Sequence, residues 1–181
     1  MKTLYLLRHA KAERDAPSGD DYDRPLAARG REDAARLGTV LKKTADVLPD
    51  LILSSPSKRT LETVDCLTAK WLSLPDIQTD EKLYLAPASR LLEAVRKFPD
   101  TVAGAMLVGH NPGMEDLAIQ LASELASDAP NQMLWRMRNK FPTCALAIFE
   151  ISTERWARVG PDLARLVSFS TPKDLADSAD A

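Results

Sequence analysis

Cysteine is scarce in this chain: Cys66 and Cys144 are the full complement of 181 residues, far apart and without CxxC spacing. That excludes a disulfide framework and offers no zinc-site pattern, and free thiols fit a reducing compartment. Long apolar runs are missing too. No stretch approaches the ~20 apolar residues of a membrane span, and the N-terminal run is cut by Arg8 with no signal-type core behind it. A cytoplasmic protein with no membrane partner is expected. Charge of one sign is absent as well: 24 Lys plus Arg stand against 26 Asp plus Glu, a net charge of -2, with no basic tract to hold nucleic acid. There is no GxxxxGK[ST] loop and no carboxylate cluster of the kind that binds Mg²⁺, so neither a nucleotide nor a metal is expected as cofactor. Repeats, linkers and low-complexity tracts are also lacking. The length suits one domain, read here as residues 1–172 followed by a flexible tail at 173–181.

What is present is a series of short apolar runs that end in polar groups. Thr3 to Leu7 is too short for a helix and apolar throughout, which reads as a strand buried on both faces, and Arg8 and His9 follow it at once. A polar loop then runs from Lys11 to Arg24, and residues from Ala27 to about Thr44 carry helical spacing at Ala34, Leu37, Val40 and Leu41. Asp50 to Leu53 reads as a second strand. Ser55 is expected to cap the next helix with Pro56 at its first position, leaving Arg59 in the first turn. Ile77 to Thr79 reads as a short edge strand, and Leu91 to Phe98 as a short helix. A further strand, Ala105 to Val108, ends in Gly109, His110, Asn111 and Pro112. Cys144–Ile151 and Ala164–Phe169 complete the sheet. Met133, Trp135 and Met137, at helix-like spacing, are assigned to the core.

Strands alternating with helices predict an α/β fold of three layers, with a mostly parallel central sheet between helices. In such a sheet the carboxyl ends of parallel strands share one edge, where ligands bind. Arg8, His9, Arg59 and His110 should therefore converge. Either histidine alone is more often structural, but the flanking sequence supplies no carboxylates to pair four such groups in a buried structural role. Two guanidinium groups and two imidazoles suit a phosphoryl group, since Arg presents forked donors to phosphate oxygens and His can attack or donate. Each cation at about 4 Å is worth roughly 4 kcal/mol to such an anion at an effective dielectric of 20, before desolvation.

These residues also form recognisable motifs. Leu7-Arg8-His9-Ala10 resembles the Arg-His-Gly motif of the histidine phosphatase superfamily, which includes the phosphoglycerate mutases. Ser54-Ser55-Pro56 with Arg59 and Thr63 is similar to its second arginine motif, and Val108-Gly109-His110-Asn111-Pro112 to its second histidine. Arg24-Pro25-Leu26, with Gly30 after it, resembles the phosphohistidine phosphatase SixA subgroup, and the likeness spans about residues 2 to 151. It implies a phosphoglycerate mutase-like fold and a phosphatase in which His9 is transiently phosphorylated. Arg8, Arg59 and His110 would bind the phosphoryl oxygens, with Arg24 and Asn111 at the rim. The implied partner is a protein bearing phosphohistidine, or a small phosphorylated substrate.

Two departures stand out. Ala10 replaces the usual glycine, which is tolerable where the backbone needs no positive φ. The general acid that many relatives carry near this point is not replaced in kind, because Tyr84 and Leu85 follow Leu83. Glu81, Asp15 and Asp20 are the carboxylates available for that role. A phosphatase of small esters would need one of them, whereas a phosphorylated imidazole needs it less. A non-catalytic phosphate-binding protein is the remaining alternative. With about twenty residues between Tyr84 and Ala105, an open site without a closing subdomain is expected.

Overall fold

The computed structural model describes residues 1–45, 48–122 and 132–177. Six strands form one sheet: β1 (Lys2–Arg8), β2 (Leu51–Ser54), β3 (Asp76–Thr79), β4 (Gly104–Gly109), β5 (Leu146–Ile151) and β6 (Ala164–Ser170). Their order is β3-β2-β4-β1-β5-β6. β3, β2, β4 and β1 run parallel, while β5 and β6 add an antiparallel pair. The helices are α1 (Ala28–Thr44), α2 (Lys58–Thr68), α3 (Ala88–Val95), α4 (Gly113–Leu121), α5 (Gln132–Asn139) and α6 (Pro172–Asp177).

The three layers follow from the period of two along each strand. Leu4 and Leu6 of β1, with Ala105 and Leu107 of β4, face a core shared with Leu91 and Val95 of α3 and Leu117 of α4. Tyr5, Leu7, Met106 and Val108 face the opposite core, with Leu37 and Leu41 of α1 and Val64 and Leu67 of α2. Leu4, Leu6 and Leu7 are wholly buried, and each contributes about 1.5–3 kcal/mol relative to an exposed position. Such a strand can only be central. On the second face α1 and α2 pack with backbones in contact, because a Cβ on Gly38 would stand 1.9 Å from the Leu67 carbonyl oxygen.

Three expectations need correction. The second helix starts at Lys58, with Ser57 at the cap position, so Ser55 is not its cap. The Ser55 amide instead continues the sheet pairing by donating to the Val108 carbonyl at 3.0 Å, and its hydroxyl is engaged elsewhere. Trp135 is not core: Met137 is buried, but Trp135 is 67% exposed. The tail expected from residue 173 contains α6, in which Leu175 is buried in the α1 and α2 core and Asp174 pairs with Arg136. Residues 178–181 lie outside the described residues. Among the described residues, no helix is long and apolar enough to cross a membrane.

Candidate active site

The parallel strands place their carboxyl ends together, and the ladder continues one residue beyond each. The His9 amide donates to the Gly109 carbonyl at 3.1 Å, which sets the end of β1 beside the end of β4. The His9 and His110 rings stand with centroids 5.2 Å apart. Both line a cavity of about 400 Å³, together with Arg8, Arg24, Arg59 and Asn111. All six residues expected from the sequence are thus brought to one pocket.

Each is held by specific contacts. His9 Nδ1 lies 2.7 Å from the Ala10 carbonyl oxygen, which can only accept, so Nδ1 carries the hydrogen and Nε2 keeps its lone pair. Ala10 has no positive φ and is fully buried; its amide donates to Thr63 Oγ1 at 3.0 Å. Thr63 in turn donates to the Arg59 carbonyl, tying the first turn of α2 to the β1 end. Arg8 donates through Nη1 to the Phe141 carbonyl at 2.7 Å. Asn111 donates to Glu115 and to the same Phe141 carbonyl. His110 Nε2 pairs with Ser55 Oγ at 2.8 Å, the contact that displaced Ser55 from capping. Among the described residues, the buried side-chain polar atoms with no partner are Arg8 Nε, His110 Nδ1 and Asn111 Oδ1, all in residues that line this pocket.

Burial and surrounding cations keep both imidazoles neutral. Burial pushes His9 down to about 4, with the Arg59 and Arg8 guanidinium groups adding to it and the Ala10 carbonyl opposing. His110 is pushed down to about 3, first by burial and then by His9 and Arg59. A neutral His9 with a free Nε2 is a competent nucleophile near neutral pH.

The carboxylate of the pocket was not among those expected. Glu81 lies on the 3-10 turn Glu81–Leu83 and does not line the cavity. Asp20 caps the turn Asp21–Asp23 by accepting from the Tyr22 amide, and Asp15 lines a separate, smaller cavity of about 190 Å³. Asp21 enters instead. Its Oδ2 accepts from Arg59 Nη2 at 2.9 Å and from the Tyr84 hydroxyl at 2.7 Å, and its Oδ1 accepts from Arg24 at 2.7 Å. Its backbone carbonyl takes the other arm of Arg59 at 2.6 Å. The Tyr84 and Arg24 bonds, with Arg59 behind them, hold the Asp21 carboxyl far below the usual carboxylate range. Tyr84 also stands edge-on to His110, with ring centroids 5.3 Å apart. Among the described residues, no group of three or more His, Cys, Asp or Glu is arranged to hold a metal ion.

A parallel sheet with two imidazoles and two guanidinium groups at its carboxyl edge is the architecture of a phosphoryl-transfer site without a nucleotide loop. Residues 4–84 match the model of the histidine phosphatase superfamily (branch 1). An uncharacterized protein of Mycobacterium tuberculosis is 34% identical over 92% of this chain and 100% of its own length. The crystal structure of a candidate phosphohistidine phosphatase SixA from Agrobacterium tumefaciens is 30% identical, with a TM-score of 0.77 over 94% of this chain and 98% of that one. A SixA candidate from Nakamurella multipartitia has a TM-score of 0.82 at 24% identity, covering 94% and 96% of the two chains. The chain belongs to the histidine phosphatase superfamily and is a phosphatase by class. Within that superfamily its likeness is to the SixA group.

Proposed function

We propose that this phosphatase hydrolyses phosphohistidine on a protein, through a covalent phosphohistidine intermediate on His9 and without a metal ion. The observation that carries the substrate assignment is the state of the pocket carboxylate. Asp21 is held ionised by Arg24, Arg59 and Tyr84, and therefore cannot serve as proton donor to a poor leaving group. Tyr84 is no substitute, because burial and the Asp21 bond hold its hydroxyl above its ordinary range. An alkoxide leaving group would go unprotonated here. A phosphorylated imidazole brings its own proton on the other ring nitrogen and departs neutral.

His9 Nε2 attacks phosphorus; the P–N bond of the substrate breaks, and its electron pair stays on the departing imidazole. Phosphorylation leaves the His9 ring cationic, and the Ala10 carbonyl at Nδ1 stabilises that charge. Arg8 and Arg59 meet the charge on the phosphoryl oxygens, with Arg24 at the rim. With the Ser55 hydroxyl as donor to His110 Nε2, Nδ1 carries the ring hydrogen and offers it to a phosphoryl oxygen. Water then attacks the phosphorus of phospho-His9, phosphate departs, and Nε2 regains its lone pair.

The test is to incubate the protein with phosphoramidate, quench in alkali and map base-stable, acid-labile phosphate, with His9→Ala in parallel. Phosphate on His9, together with faster release from phosphohistidine than from sugar phosphates, is the expected result. Equal turnover by wild type and His110→Ala with no phosphoryl-enzyme would overturn it.

A further inference from the structure

Beside the phosphoryl pocket lies a second groove of about 550 Å³, built from α1, α5 and the segment leading into α6. Lys11 and Thr143 line both cavities, so a substrate seated in the first extends naturally into the second. The groove is one-sided in charge: among the described residues Lys11, Arg29, Arg136, Lys140 and Lys173 line it against Asp33. Arg29 stands 3.8 Å from Asp33 and Arg136 pairs with Asp174. Lys11, Lys140 and Lys173 are exposed and form no ion pair among the described residues. A chain of net charge -2 has therefore gathered three exposed ammonium groups along one groove next to His9. The exposed indole of Trp135 lines the same groove, and Phe169 lies buried among its lining residues.

Resting on the phosphohistidine reading above, we propose that this groove docks an acidic segment of the phosphorylated protein. Aspartate and glutamate side chains of the partner pair with Lys11, Lys140 and Lys173, while Trp135 packs on its backbone or apolar side chains. Charge complementarity decides the class of occupant, and a solvent-exposed tryptophan beside the cations supplies the amphipathic contact area that protein partners use. Exposed ion pairs add little affinity singly; collectively they steer encounter and fix register, and salt screens them.

The experiment uses two synthetic peptides phosphorylated on one histidine with phosphoramidate, one flanked by glutamates and one by serines, with phosphoramidate itself as reference. The readout is the ratio of kcat/KM on each peptide to kcat/KM on phosphoramidate. Wild type should favour the glutamate peptide, and the preference should shrink with added salt. The double variant Lys140→Glu, Lys173→Glu should lower the glutamate-peptide ratio roughly tenfold, and Trp135→Ala should lower the ratio for both peptides. Equal ratios for the two peptides in wild type, or a preference that survives the double variant, would overturn the proposal. Inhibition of phosphoramidate release by a nucleoside monophosphate that is lost in the double variant, with the peptide ratios unchanged, would overturn it in favour of a small-molecule subsite. Release from phosphoramidate but from neither peptide would instead refute the phosphohistidine reading on which the groove assignment stands.

Discussion

Asp21 makes the sharpest prediction, because it occupies Arg59, the residue expected to bind phosphate. Both arms of that guanidinium are spent on Asp21, one on its backbone carbonyl and one on Oδ2. A phosphoryl group on the same guanidinium comes to about 4–5 Å from the carboxylate. At an effective dielectric of 20 that repulsion is about 4 kcal/mol at closest approach. The Asp21 side chain is 47% exposed, so solvent screens it, and about a third of the repulsion is a reasonable remainder. That leaves roughly 1.4 kcal/mol, or about tenfold in affinity. Asp21→Asn removes the charge while keeping a carbonyl oxygen for Arg59 and Tyr84. Product inhibition by inorganic phosphate should therefore tighten about tenfold in this variant. Unchanged or weaker inhibition would refute the reasoning and mean that Asp21 serves to orient Arg59 rather than to compete with the anion.

Four further outcomes follow from the same geometry. Ser55→Ala removes the partner of His110 Nε2 and should lower kcat by up to about tenfold, the worth of one hydrogen bond, with KM nearly constant; an unchanged kcat would show that the ring is held without it. Because His9 and His110 are pushed down from 6.5 to about 4 and about 3, kcat/KM should show no imidazole limb near 6.5 and should fall only as pH approaches 4. The sign for stability is the same: between 6.5 and about 4 the unfolded chain takes up protons that the native pocket refuses, so stability is full above that window and is lost as pH falls through it. Urea midpoints of a His9→Asn, His110→Asn variant should flatten across those pH values, and a slope like wild type's would contradict the assignment. Gly30→Ala would set a Cβ 2.1 Å from the Lys11 carbonyl oxygen, and should cost about 1–3 kcal/mol in urea unfolding while displacing the loop that carries Asp21. A fully stable Gly30→Ala protein would show that the contact relaxes freely.

The central sheet and the meeting of Arg8, His9, Arg59 and His110 were legible because β1 runs straight into Arg8 and His9, β4 into Gly109 and His110, and Arg59 opens the helix after β2, while parallel strands must share an edge. Asp21 was not legible. In sequence it is one of several carboxylates in a polar loop, beside Asp15, Asp20 and Asp23, and only the turn at Asp21–Asp23 selects it by aiming it at Arg59. Ser55 was misread because Ser-Pro before a helix is a capping signal, whereas here strand pairing to Val108 carries it one residue further and His110 takes its hydroxyl. Trp135 was misread because periodicity gives a spacing and not a phase: Met137 took the buried side of α5, and the indole was left facing the groove. The helix near the C-terminus was hidden because it depends on contacts from Leu175 and Asp174 to elements far away in the chain.

The strand order bears on how the enzyme is made. Of the six strands β1 is made first, yet its neighbours are β4, beginning at Gly104, and β5, beginning at Leu146; the strand next in sequence, β2, does not pair with it. At about 5–20 residues per second of synthesis, the segment bearing His9 waits on the order of 5–20 s for its first partner. During that interval a continuous apolar strand has both hydrogen-bonding edges open. Slowing translation before β4 should therefore leave a larger insoluble fraction than slowing it after β4, and equal fractions would show that the open edges of β1 are harmless.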